Sequence, residues 1–110
     1  MSKLESLVPP VELCKLIPAG EFVDSALVRC IDNVGTVVLC ERANAIHTEG
    51  WQKIPAPTLE EIMAAMPHCR VYKKTAGFYV AVKENERVPS LSGATAALKL
   101  WLQQKGIECN

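Results

Sequence analysis

The chain has 110 residues, 49% of them apolar and 22% charged, a globular rather than a disordered composition, and size scaling has it burying about 65% of its unfolded surface, enough for a core without staples. Twelve Lys and Arg balance twelve Asp and Glu, which argues against binding dominated by phosphate contacts, because counterion release needs a cationic excess on at least one face. No apolar run reaches the roughly 18 residues of a membrane span, and the opening MSKLESLVPP lacks the apolar stretch of a signal peptide, so a soluble, cytoplasmic chain is expected.

Five cysteines, Cys14, Cys30, Cys40, Cys69 and Cys109, are an odd number with no CxxC among them. In a chain without an export signal they read as reduced thiols, three or four of them small core residues.

In chain order, VPPVELCKLIPAG reads as a short helix with Pro10 at its first position, Leu13, Leu16 and Ile17 on one face, and Pro18 and Gly20 ending it. ALVRCIDNVGTVVLCER then reads as a β-hairpin around Asp32-Asn33-Val34-Gly35, a type I turn closed by a left-handed glycine. In that register Cys30 and Cys40 share a side but sit diagonally, which favours two packed thiols over a disulfide. Residues 43–57 show neither helical nor alternating period. A connection of about 15 residues is long for a compact domain. It reads either as a crossover anchored by Ile46, Trp51 and Ile54 or as a binding loop.

PTLEEIMAAMP carries the clearest local code. Thr58 and Glu61 form a capping box, Leu59, Ile62, Met63 and Met66 make one apolar stripe, and Pro67 stops the helix. RVYKKTAGFYVAVK is a second glycine-closed hairpin, in which Lys74 facing Phe78 sets Tyr72 opposite Val80 and Arg70 opposite Val82. The other face, with Val71, Lys73, Tyr79, Ala81 and Lys83, is read as the more polar one, and the cations as the wet side of the hairpin. SLSGATAALKLWLQQKGI closes the order as a helix capped by Ser92 or Ser90 and ended by Gly106, burying Ala94, Ala97, Leu98, Trp101 and Leu102. The expected architecture is one α+β domain over 1–110, in the order α-ββ-loop-α-ββ-α. Its antiparallel sheet comes from two β-hairpins, with helices packed on one face.

Few constellations carry chemistry. A zinc reading would recruit Cys40, His47, His68 and Cys69, but the spacing matches no ligand-pair pattern. A thiol enzyme would use Cys69 with His47 or His68. The glycines form no phosphate-cradling run, and Glu60-Glu61 are explained by the helix dipole. No catalytic, metal or cofactor residue is therefore assigned, and no cofactor is expected. The basic hairpin is a stronger candidate. Arg70, Lys73, Lys74 and Lys83 are four cations beside Tyr72, Phe78 and Tyr79, which could stack on bases. Against that, residues 1–55 carry five cations and seven anions and residues 56–110 seven and five, a slight asymmetry.

ELCKLIPAGEFVDSALV, then APTLEEIMAAMP, a hairpin, and ATAALKLWLQQKGI together resemble small uncharacterised proteins of bacterial prophages and other mobile elements. The likeness rests on Pro57, Thr58, Leu59, Pro67, Phe78, Tyr79, Ala96, Ala97, Leu100, Trp101, Leu102 and Gly106. These are caps, stops and core, so the resemblance implies fold and genomic company and carries over no functional residue. A second likeness is to antitoxins of the HicB type, which run a hairpin into a similar helix, neutralise a toxin partner and bind their own promoter. The leading expectation is an intracellular accessory protein acting by protein–protein contact, with an unidentified partner or a second copy of itself as a homodimer. The alternative is a nucleic-acid-binding or antitoxin-like module using Arg70–Lys83.

Overall fold

The computed structural model describes residues 5–42, 50–74 and 77–107. After a 3₁₀ turn at Glu5–Leu7 come α1 (Val11–Cys14), β1 (Leu27–Ile31), β2 (Val37–Glu41), β3 (Gln52–Pro55), α2 (Leu59–Ala64), β4 (Arg70–Lys73), β5 (Tyr79–Lys83), β6 (Glu86–Ser90) and α3 (Gly93–Gln104). The chain is α+β, and all its strand pairs are antiparallel. Among the described residues, no helix is long and apolar enough to cross a membrane.

Both expected hairpins are present in the expected register, with Val28 opposite Cys40, Cys30 opposite Val38, Tyr72 opposite Val80 and Arg70 opposite Val82. Their turns work as the sequence suggests. Asp32 Oδ1 accepts from the N–H groups of Val34 (3.0 Å) and Thr36 (2.8 Å), and the Gly35 N–H returns to the Asp32 carbonyl at 3.2 Å. Gly35 sits at φ +90° and Gly77 at +89°, backbone that glycine adopts without a Cβ penalty.

The hairpins do not share one sheet. Each gains a third strand, giving separate sheets ordered β2-β1-β3 and β4-β5-β6. β3 lies inside the 43–57 connection that the sequence shows as patternless; Ile46 and His47 lie outside the described residues. It is a strand because β1 offers a second hydrogen-bonding edge, and Ile54 is its one buried residue. β6 follows β5 through a two-residue loop in which Glu84 takes φ +56°. Its charges and Pro89 are tolerated because it is an edge strand.

α1 is a single turn with Pro10 in the cap position rather than the first helical one. Leu13 is buried while Leu16 is exposed, so the expected three-residue apolar face is narrower. α2 carries its complete capping box, with Thr58 accepting from the Glu61 N–H and Glu61 from the Thr58 N–H. In α3, Ser92 Oγ accepts from the Thr95 N–H at 3.4 Å, and the Gly106 and Ile107 N–H groups close the far end on Gln103 and Leu102.

α3 is the core. Every residue from Gly93 to Leu102 is buried except Lys99, well beyond the five-residue face read from sequence. Ala96, Ala97, Leu98, Leu100 and Leu102 are fully enclosed, and a helix apolar all round must lie inside a fold. Leu13 and Cys14 of α1, Ile54 of β3, Ile62 of α2 and Ala81 of β5 join it in one cluster. Trp101 also meets the Phe22 ring at 4.9 Å.

This helix reverses the expected facing of the second hairpin. Val71, Ala81 and Val88, together with Tyr79, form the inner face, where a Cβ added at Gly93 would meet Tyr79 at 3.5 Å and Val71 at 3.6 Å. The small Ala81 at the centre allows a wide helix to come close. Lys73 and Lys83 lie on that face's outer rows, and the face that meets water carries Arg70, Tyr72 and Lys74.

Candidate functional site

The basic hairpin contributes to both sides of its sheet. Register places Arg70, Val82 and Arg87 in one row of the outer face and Tyr72, Val80 and Pro89 in the next. Arg70, Tyr72, Lys74 and Arg87 are exposed, and the Lys74 ammonium lies 5.3 Å from the centre of the Tyr72 ring. Arg87 was not among the sequence candidates because β6 itself was not legible. Lys73 belongs to a peripheral row of the inner face and lies 5.9 Å from the Tyr79 ring centre, and Lys83 is near Cys69. The fold therefore splits the four cations, with Arg70 and Lys74 on the outer face and Lys73 and Lys83 on the inner one. Tyr79 faces inward, leaving Tyr72 as the exposed ring.

His68 and Cys69 form the turn leaving α2, with His68 exposed at φ +70° and Cys69 buried. Burial pushes the Cys69 thiol up, against the smaller opposing pull of Lys83, the reverse of what an activated nucleophile needs. In the first hairpin, Cys30 and Cys40 Sγ atoms lie 3.8 Å apart despite their diagonal register. Burial and then the hydrogen bond to Cys30 raise the Cys40 thiol as well, with Lys53 opposing. Cys14, Cys30, Cys40 and Cys69 are reduced thiols. Among the described residues, no group of three His, Cys, Asp or Glu is placed to hold a metal.

A cleft of about 760 Å³ lies between the turn following α1 and β3. Ile17, Val28 and Ile54 line it with Lys15, Arg42 and Lys53. Arg42 is braced there, its Nε donating to the Ser25 carbonyl at 2.8 Å and its guanidinium reaching Ser25 Oγ at 3.2 Å. The rim is cationic apart from Glu21. Another cation, Arg29, lies inside β1 at 3% exposure, donating to the Pro9 carbonyl at 2.7 Å. That bond ties the segment before α1 to the first sheet.

The four sheet edges differ more sharply than the faces. In the first sheet, the Asp32 N–H donates to Thr36 and the Arg42 N–H to Ala26. Antiparallel alternation then turns the backbone groups of Val38 and Cys40 toward β1 and those of Val37, Leu39 and Glu41 outward. The Ala56 N–H donates to Leu27, so β3 turns Lys53 and Pro55 outward. In the second sheet the Lys74 N–H donates to Phe78, and the same alternation turns Arg87 and Pro89 of β6 outward. Proline has no N–H, so β3 and β6 are each blocked at one outward position. β4 is flanked by Arg70, Lys73 and Lys74. β2 has neither proline nor lysine, and its neighbourhood exposes Val34 (85%), Val37 (38%) and Val38 (41%).

No family model, no curated protein and no solved structure matches this chain. The functional reading rests on its own geometry.

Proposed function

We propose that this chain is a small cytoplasmic accessory protein, of the kind carried by phages and prophages, that acts by protein–protein contact through the outer edge of β2, which pairs with no described strand. One observation carries the reading. Three of the four described sheet edges bear an outward proline or a cluster of cations, which discourage strand pairing, and β2 bears neither, its one charge being Glu41 at the end, while it exposes valines beside its outward backbone groups. An extended segment added there gains main-chain hydrogen bonds, with side-chain contacts supplying specificity. The test is capture from a lysate of the protein's own cells by immobilised wild type, Val38→Lys and, as a control at the opposite edge, Lys53→Glu. Wild type and Lys53→Glu are expected to retain the same proteins and Val38→Lys to lose them. Capture indifferent to Val38→Lys overturns the reading.

A second reading is favoured by the outer face of the other sheet, where Arg70, Lys74 and Arg87 surround the exposed Tyr72. Such a face suits a single strand of nucleic acid, with the ring stacking on a base at about 1–3 kcal/mol and the cations tracking phosphates; an antitoxin-like module would use it on its promoter. Titration of a labelled single strand and a labelled duplex at low and physiological salt tests this. Binding that weakens steeply with salt and falls with Tyr72→Ala supports it, and salt-independent or absent binding removes it.

A further inference from the structure

We propose that the occupant of the β2 edge is a second copy of this chain. It would pair β2 to β2 antiparallel across a two-fold axis, so that two three-stranded sheets become one of six. This rests on the contact reading above and adds the partner's identity. A copy can meet β2 only with an edge of its own. β3 and β6 each turn a proline outward, Pro55 and Pro89, so a β2–β3 or β2–β6 contact lacks a donor at one of the two outward positions of the partner strand. β4 brings a cluster of cations against a strand whose one acid is Glu41. β2 against itself meets none of these obstacles, and because both copies use the same surface the contact closes at two rather than propagating.

The outward backbone groups fix the parity of the pairing, and centring it on the exposed Val38 completes the register. Val37, Leu39 and Glu41 point outward, so a two-fold axis through Val38 sets Val37 opposite Leu39 of the second copy, exchanging both N–H···O bonds, and Leu39 opposite its Val37. Val38 then faces its own copy as a non-hydrogen-bonded pair, where Cα atoms come within about 4.5 Å and β-branched side chains pack closely. Glu41 falls opposite Gly35 and Arg42 opposite Val34, so no like charges meet. The pairing covers Val37 and Val38 of both copies, two of the larger exposed apolar residues of the described chain. The contact is short, so association depends on concentration.

Sedimentation of the whole chain over a range of concentrations, up to millimolar, tests the proposal. The expected mass rises to twice the 12.0 kDa of one chain and no further. Val38→Lys, which sets two ammonium groups face to face across the axis, is expected to return it to one chain, and Lys53→Glu to leave it unchanged. Val38 is partly exposed, and an unchanged circular dichroism melt of Val38→Lys at low concentration shows that its fold is intact. Amide exchange supplies the signature of register, because the Val37 and Leu39 N–H groups, open in one chain, gain protection as concentration rises. A monomer at all concentrations overturns the second copy. If Val38→Lys still abolishes lysate capture in that case, the edge seats a foreign strand; if it does not, the contact reading falls too. A dimer that survives Val38→Lys, or masses that grow without limit, also overturn the proposal.

Discussion

Glu61 offers the sharpest test of how the parts are tied together, because one carboxylate serves two elements. Its Oε1 accepts the Thr58 N–H at 2.8 Å and the Thr58 hydroxyl at 3.3 Å, closing the α2 cap, while Oε2 accepts the Ala26 N–H at 2.9 Å, just ahead of β1. Glu61→Ala removes both backbone bonds. Hydrogen bonds to a charged acceptor contribute about 1.5–3 kcal/mol each when buried. Glu61 is half-exposed and Ala26 exposed, so the low end applies, and the pair is expected to cost about 2–3 kcal/mol. Glu61→Gln keeps one acceptor oxygen and turns an NH₂ toward the other amide, so it should lose about half as much. Urea unfolding followed by tryptophan fluorescence measures both, and a thermal melt should show the alanine variant about 8–12 °C lower. Since Thr58 and Glu61 act as a unit, Thr58→Ala should cost much less in the Glu61→Ala background than alone. If both Glu61 variants cost less than about 0.5 kcal/mol, or Thr58→Ala adds in full, the bridging role is refuted.

Gly93 opens α3 at an ordinary φ, and a Cβ there would meet Leu59, Tyr79 and Val71 at 3.4, 3.5 and 3.6 Å. Gly93→Ala is therefore expected to stabilise by about 0.4–1 kcal/mol through the unfolded chain, and a lowered urea midpoint would show that the contact is too tight. Cys40 and Cys69 are held in the neutral form by burial, so their folded pKa values lie above the unfolded ones. Their contribution to stability is complete below the ordinary thiol pKa of about 8.5 and is lost as pH rises through the folded values, because the unfolded chain gives up its protons first. Urea midpoints from neutral to alkaline pH should fall less steeply in Cys40→Ala/Cys69→Ala than in wild type. At pH 8 both thiols should alkylate more slowly in the folded chain than in urea.

What the sequence made legible was local. Thr58 and Glu61, Ser92 and Gly106, and Gly35 and Gly77 each set a cap, a stop or a turn through bonds within a few residues, and all six act where expected. What stayed hidden was decided at a distance. β3 and β6 carry one clear apolar anchor each, Ile54 and Val88, amid charges and prolines, and become strands because β1 and β5 have open sides. The face of the second hairpin read as the more polar one still carries Val71, Tyr79 and Ala81, so α3 settles which faces inward. The β2 edge was invisible for the same reason. Its sequence reads alike at the centre or rim of a sheet, and it becomes an edge only because β3 takes the far side of β1.

α3 follows the six described strands in the chain, yet it supplies the surface against which Ala81, Val71 and Ile54 find cover. Synthesis from the amino end therefore releases both sheets before the element that holds them. Closure also brings Leu13 beside a helix from the far end of the described chain. Such remote contacts repay their loop entropy only late, which slows folding. The strands must wait, apolar side bared, for Leu98 and Trp101 to arrive, so a growing chain is most exposed to unwanted pairing in the interval before its last helix is made.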